Sequence, residues 1–209
     1  MMIRESTMLA CRSEYLLPQL PWLRVQLYLA ELSSNQTIFV ISAYTRFVPS
    51  SLTVSVAASK EIEPGEEITI SYIPVGQTSE DRKQALGRWG FNCTCSLCSA
   101  SRQEIEASDA RRRLLYSLRD QAFSAFQQGK AYQALRLTKQ VINMIPIEEL
   151  FPLYSEQYEN LARLYWSLGD HEKARENAKK SLDVLVEQGY LDSFKPEYLE
   201  MMWKNFEGR

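Results

Sequence analysis

Displaced by 40 residues, the second half of this 209-residue chain matches itself. Ala122 falls on Ala162, Phe126 on Trp166, Gly129 on Gly169, Ala134 on Ala174 and Ile142 on Leu182. From about Asp109 to the end, apolar residues recur at helical spacing. Leu114, Leu115, Leu118, Ala122 and Phe126 mark one helix face; Ala131, Ala134, Leu135, Thr138, Val141, Ile142 and Ile145 mark the next. Gly129 stops the first helix and Pro146 the second. Each unit is a helix, a glycine corner, and a helix with a small residue five positions after the glycine. The glycine permits the turn, and the small residue lets two antiparallel helices approach closely. The alternative reading of the same pattern is a generic helical bundle.

The first half has a different texture. Residues 1–50 carry apolar clusters without a sustained period, apart from Thr37 to Tyr44, which is rich in β-branched and aromatic residues and reads as a strand. Ser51 to Ala58 alternates, with Leu52, Val54 and Val56 on one face. Glu63-Pro64-Gly65-Glu66 is turn chemistry, and Ile68 to Tyr72 is a second alternating strand ended by Pro74 and Gly76. Ser79 to Arg88 is helical, with Ser79 as N-cap and Asp81 in the first turn.

Composition narrows the function classes. A net charge of −2 and a pI of 5.6 argue against a general nucleic-acid surface, which carries a basic excess. Leu16 to Leu32 is interrupted by Pro18, Pro21 and Arg24, so no membrane span is expected; Arg12 and Glu14 precede it and no small-residue cleavage site follows cleanly, so it lacks the order of a secretion signal. An intracellular location, nucleus or cytoplasm, follows as the expectation. The Asn35-Gln-Thr37 sequon is then a chance occurrence. The single histidine, His171, reads as a solvated corner, and Arg111-Arg112-Arg113 as a solvated helix face.

Three of the four cysteines, Cys93, Cys95 and Cys98, fall within six residues. Without an export signal, such crowding points to a metal ion rather than to disulfides. Zinc takes four ligands in a tetrahedron, so three close thiolates need one more from elsewhere. Cys11 is the remaining cysteine.

Read together, IEPGEEITISY (62–72), RWGF (88–91) and CTCSLC (93–98) resemble the end of a SET domain and its post-SET segment, as in SET-and-MYND-type protein-lysine methyltransferases and their fungal relatives. The helical region resembles the tetratricopeptide repeat (TPR), and that subfamily carries a TPR-like tail. The usual repeat period is about 34 residues, so the excess here is expected as a longer linker from Pro146 to Ser155. Two repeats are fewer than the roughly three needed for independent stability. The unit is therefore expected to lean on the SET-like part or on Pro196 to Phe206 as a closing helix.

The resemblance implies an α+β fold: a small β-rich SET-domain remnant with a post-SET zinc loop, followed by an all-α TPR-like region. It divides the chain into 1–50, unassigned; 51–76, the end of the SET domain; 77–100, the post-SET zinc-binding segment; and 108–209, the TPR-like region. It implies that Tyr72 is the active-site tyrosine, that Trp89 lines the substrate lysine channel, that Phe91 packs against S-adenosyl-L-methionine, and that Cys93, Cys95 and Cys98 hold a structural zinc ion. Glu66 and Glu67 match the acidic start of the same motif and are expected to make turn hydrogen bonds and a rim charge. The reaction implied is methyl transfer from the sulfonium to a neutral lysine amine, a task of alignment in a dry channel.

The chain departs from the family in its first half. Its first glycine is Gly65, and no Asn-His-Ser-Cys sequence is present. The family's glycine-rich cofactor segment, the usual fourth zinc ligand and the MYND finger have no counterpart, which fits a truncated or mis-spliced transcript. The expectation is a family member that is inactive as this chain. The competing expectation is a non-catalytic, zinc-stapled, TPR-like module that takes a protein or peptide partner in a helical groove.

Overall fold

The computed structural model describes residues 24–27, 42–48, 52–66, 68–71, 73–88, 90, 92–191 and 196–207. Cys11, Glu67, Tyr72, Trp89, Phe91 and most of residues 1–50 lie outside the described residues. Among the described residues three strands form one antiparallel sheet: β1 (Arg24–Leu27), β2 (Ala43–Val48) and β3 (Thr53–Ala58), in the order β1-β3-β2. Six α-helices follow among the described residues: α1 (Ser79–Gly87), α2 (Arg102–Gln127), α3 (Ala131–Met144), α4 (Tyr154–Ser167), α5 (His171–Glu187) and α6 (Pro196–Glu207).

β3 is central because its alternation buries both faces. Val54 and Val56 pack with Ala43 and Ile70 on one side. On the other, Ala57 is buried, and a Cβ placed on Gly189 would stand 3.2 Å from the Ala57 methyl. Leu52 does not join the apolar face as expected. It stands at φ +52° in the connection between β2 and β3 and is 74% exposed. The strand expected at 37–44 also shifts: β2 begins at Ala43, and residues 37–41 lie outside the described residues.

The strand expected at 68–72 is not a ladder strand over its described residues, 68–71. One residue pins it. The Thr69 carbonyl accepts from the amides of Ser42 and Ala43, each at 3.1 Å, and the Thr69 amide donates to Ser42 Oγ at 2.8 Å. A side-chain hydroxyl has replaced the backbone partner that a regular ladder requires. The turn before it forms as expected. Gly65 takes φ +89°, the Glu66 amide donates to the Glu63 carbonyl at 2.9 Å, and the Glu66 carboxylate accepts from the Glu63 amide and from Lys60.

Helix starts differ from the sequence reading for identifiable reasons. Thr78, not Ser79, caps α1. Ser79 is committed elsewhere: its amide and hydroxyl both donate to the Asp109 carboxylate, at 2.8 and 2.6 Å. α2 starts at Arg102, seven residues before the periodicity suggested, because Ser101 and Glu104 form a reciprocal capping box. Its buried face runs through Ser108, Arg112, Leu115, Ala122 and Ala125, while Leu114 and Phe126 are exposed.

The 40-residue repeat is visible in the backbone. Gly129 and Gly169 take φ +74° and +77°. Behind each, the same pair of bonds closes the helix: Gly129 N–H to Phe126 O and Lys130 N–H to Ala125 O, then Gly169 N–H to Trp166 O and Asp170 N–H to Tyr165 O. Ala134 and Ala174 are both fully buried where the two helices of each hairpin meet. The segment from Pro146 to Ser155 is more than a linker. It forms two 3-10 turns, Pro146–Glu148 and Phe151–Leu153, and buries Leu150 against Leu115, Val141 and Ile145.

The arginine run is not the solvated helix face that was expected. Arg112 is fully buried: Nε donates to Glu148 at 2.8 Å and Nη1 to the Gln77 carbonyl at 3.3 Å. Arg111 also pairs with Glu148, whose second oxygen accepts from Ser108. Burial lowers the Arg112 pKa, while the Glu148 charge opposes that shift. A buried cation is tolerated here because its partner and a carbonyl surround it.

Both supports expected for the helical region are present. In α6, Trp203 stacks on Trp166 at 5.0 Å, with Phe206 edge-on to both rings. From the first half, Arg46 donates to the carbonyls of Gly189 and Tyr190, and Tyr116 donates its hydroxyl to Val75 O at 2.9 Å. His171 is an exposed corner residue, as expected, with its ring edge on Trp166.

Candidate metal centre and helical groove

The loop between α1 and α2 gathers the cysteines. The Cys95 amide donates to Cys93 Sγ at 3.5 Å, which folds the first thiol back over the loop. The Ser99 amide returns to Cys95 O at 2.9 Å, and the Ser99 hydroxyl donates to Thr94 O at 3.0 Å. Two residues later Ser101 starts α2, so the loop is anchored to the longest helix of the fold. As a result the Sγ atoms of Cys93, Cys95 and Cys98 lie within 4.8 Å of one another.

These residues fit a zinc ion. Three sulfurs at about 2.3 Å from one zinc in a tetrahedron stand about 3.8 Å apart, close to what the loop already provides. Burial pushes the Cys95 thiol up to about 12, and repulsion from Cys93 and Cys98 adds to the effect. The Cys95 thiol so placed does not ionise by itself at neutral pH. A bound divalent cation would reverse that balance and favour the thiolate. Among the described residues no fourth ligand joins them, and Cys11 lies outside the described residues. The geometry of Tyr72, Trp89 and Phe91, expected around the methyl-transfer cleft, likewise falls outside them.

A second feature was not legible as a site in the sequence. α2 and α4 wall a groove of about 380 Å³, with Thr138 of α3 at its floor. Arg119 and Glu156 line it, with Arg119 donating to both Glu156 oxygens at 2.6 and 2.5 Å. Phe123, on the α2 wall, is 63% exposed, an unusual position for a phenylalanine. Gln157 lines the same groove and is buried, yet its Nε2 has no acceptor among the described residues. Phe126, read in the sequence as part of an apolar helix face, also lines this groove and is exposed.

No protein-family model matches the chain. Curated proteins do. Histone-lysine N-methyltransferase set5 of Schizosaccharomyces pombe is 41% identical over 64 residues, covering 30% of this chain and 20% of that protein. Histone-lysine N-methyltransferase SET5 of Yarrowia lipolytica is 38% identical over 58 residues, covering 27% and 13%. Protein-lysine N-methyltransferase SMYD4 of Danio rerio is 24% identical over 208 residues, covering 77% of this chain and 28% of its own length. The chain thus spans no more than 28% of the length of these relatives. It carries a segment like those of the SET5 and SET and MYND domain-containing methyltransferases. No helix among the described residues is long and apolar enough to cross a membrane.

Proposed function

We propose that this chain is the zinc-clamped, helical-tailed part of a SET-type protein-lysine methyltransferase. Residues 51–76 close the SET domain, 77–100 form the post-SET segment and 108–209 are a TPR-like region. The observation that carries the reading is the convergence of Cys93, Cys95 and Cys98 in a chain whose relatives are named as methyltransferases. In this reading the zinc ion would be structural, fixing the cysteine loop that follows Trp89 and Phe91 in the chain. S-adenosyl-L-methionine supplies the methyl group. In the intact enzyme Tyr72 would orient the lysine amine, Trp89 would exclude water from its channel and Phe91 would cover the cofactor. That enzyme would act inside the cell, in nucleus or cytoplasm, on a protein substrate.

By itself the chain transfers no methyl group. The sequence has no glycine before Gly65 and no Asn-His-Ser-Cys segment, the family elements that cradle the cofactor. Thermal unfolding with 1 mM S-adenosyl-L-methionine tests this. A ligand at about 100 times its Kd stabilises by about 2.7 kcal/mol, an unmistakable rise in Tm. The expected result is zinc-loaded protein with unchanged Tm. A clear rise overturns the inactivity, and zinc-free protein overturns the clamp.

The groove favours a second reading, a protein-interaction module. An exposed ring beside a buried amide donor suits an extended peptide, which offers apolar side chains and backbone carbonyls together. Peptides selected from a random library on the wild-type chain should fail to bind Phe123→Glu protein of equal Tm. Undiminished binding removes this reading.

A further inference from the structure

The junction between the sheet and the end of α5 holds a local electrostatic conflict. The last turn of α5 contains no basic residue and ends on Glu187. A carboxylate there faces the negative end of the helix dipole, where a cation is favoured and an anion is not. Burial and the neighbouring Asp183 raise the Glu187 pKa further. Among the described residues Glu187 has no ion-pair partner. The nearby cation, Arg46, donates to the Gly189 and Tyr190 carbonyls instead. A sequence that breaks local rules without compensation often does so at a functional position.

Beside Glu187 lies a crevice of about 190 Å³, between Tyr44 of β2 and the carboxyl end of α5. It is too small for a cofactor, since ligand pockets run from about 300 Å³ upward, but it has room for one long side chain. The Tyr44 phenol stands at its wall; burial, then Tyr190 and Glu187, push its pKa up to about 12, so it stays a neutral hydroxyl. Phe151 also lines the crevice, half-exposed, and its ring begins a stacked row that continues through Tyr154 and Tyr158 at 6.2 and 5.6 Å. A carboxylate, a phenol oxygen, a helix carboxyl end and an aromatic face share one preference: a desolvated organic cation.

We propose that this crevice docks a lysine or arginine side chain of a basic partner peptide, held by Glu187, Tyr44 and the Phe151 ring. The site goes beyond the methyl-transfer reading, because it contains none of the residues assigned to the cofactor, the channel or the metal. It requires neither zinc nor S-adenosyl-L-methionine, so its test and theirs fail separately.

The test uses the full chain and a fluorescein-labelled peptide of alternating glycine and lysine, with a counterpart bearing norleucine in place of lysine. Anisotropy titrations compare wild type with Glu187→Gln, Tyr44→Phe and a control, Glu172→Gln, which removes an exposed acid from the opposite end of α5. The expected result is a roughly tenfold weaker Kd for Glu187→Gln, a loss of about threefold for Tyr44→Phe, no change for Glu172→Gln, and no binding of the norleucine peptide. Because Glu187→Gln removes a misplaced charge, its Tm should not fall. Three results overturn the proposal: no binding of the lysine peptide to wild type, equal Kd values for wild type and Glu187→Gln, or the same loss in Glu172→Gln, which marks diffuse attraction to an acidic surface.

Discussion

The residue that most rewards a physical reading is Glu148. It is nearly fully buried, and it neutralises Arg112, which is fully buried, as well as the half-exposed Arg111. Removing it strands a desolvated guanidinium. Glu148→Ala is therefore expected to cost about 3–5 kcal/mol, measured by urea denaturation, whereas Glu156→Ala at the exposed Arg119 pair should cost no more than about 1 kcal/mol. Equal costs would contradict the assignment. Glu187 makes the opposite prediction with pH. Its folded pKa is raised, so between its unfolded and folded values the native state holds more protons than the unfolded state. The stability this contributes is present in acid and is lost as pH rises through the folded value. Glu187→Gln removes that slope: the variant should match or exceed wild type in Tm at pH 7, and its advantage should shrink toward pH 4. None of this was legible in the sequence. Arg111-Arg112-Arg113 read as a solvated face because its neighbours are acidic, and the partner that buries Arg112 lies 36 residues away in a segment that read as linker.

At the scale of elements, the sequence was informative where local chemistry decides and silent where distant partners do. The glycine corners, the small residues behind them and the Glu63–Glu66 turn depend on nearby residues, and each formed as expected. Ser79 lost its capping role to Thr78 because Asp109, thirty residues on, takes both of its donors. The 68–71 segment lost its ladder because Ser42 answers Thr69 with a side chain. Leu52 fitted the alternation but was needed in a turn. The corners carry a graded prediction. Gly169 takes φ +77° with open space around it, so Gly169→Ala should cost about 1–2 kcal/mol from backbone strain alone. At Gly76, φ is +90° and a Cβ would collide with the Tyr116 hydroxyl oxygen. Gly76→Ala should add a further ~1–3 kcal/mol of overpacking and break the Tyr116 to Val75 bond. Denaturation midpoints in the reverse order would show that the corner geometry is wrong.

Across the whole molecule, two hairpins are too few to stand alone, and the fold supplies the missing support from both ends. α6 covers Trp166, and the sheet reaches the end of α5 through Arg46 and Ala57. Between them, Tyr116, Asp109 and Arg112 tie α2 to the segment at 75–79 that leads into the cysteine loop. The triplet itself was plain in the sequence, because six residues hold all three cysteines; the groove and the crevice were not, because their walls come from elements far apart in the chain. The central claim is that Cys93, Cys95 and Cys98 clamp one zinc ion. Elemental analysis of the purified chain beside Cys95→Ser tests it most directly. One zinc per chain in the wild type, with zinc lost and Tm lowered in the variant, is the predicted result. A zinc-free wild type whose Tm is indifferent to both added zinc and the substitution would contradict it.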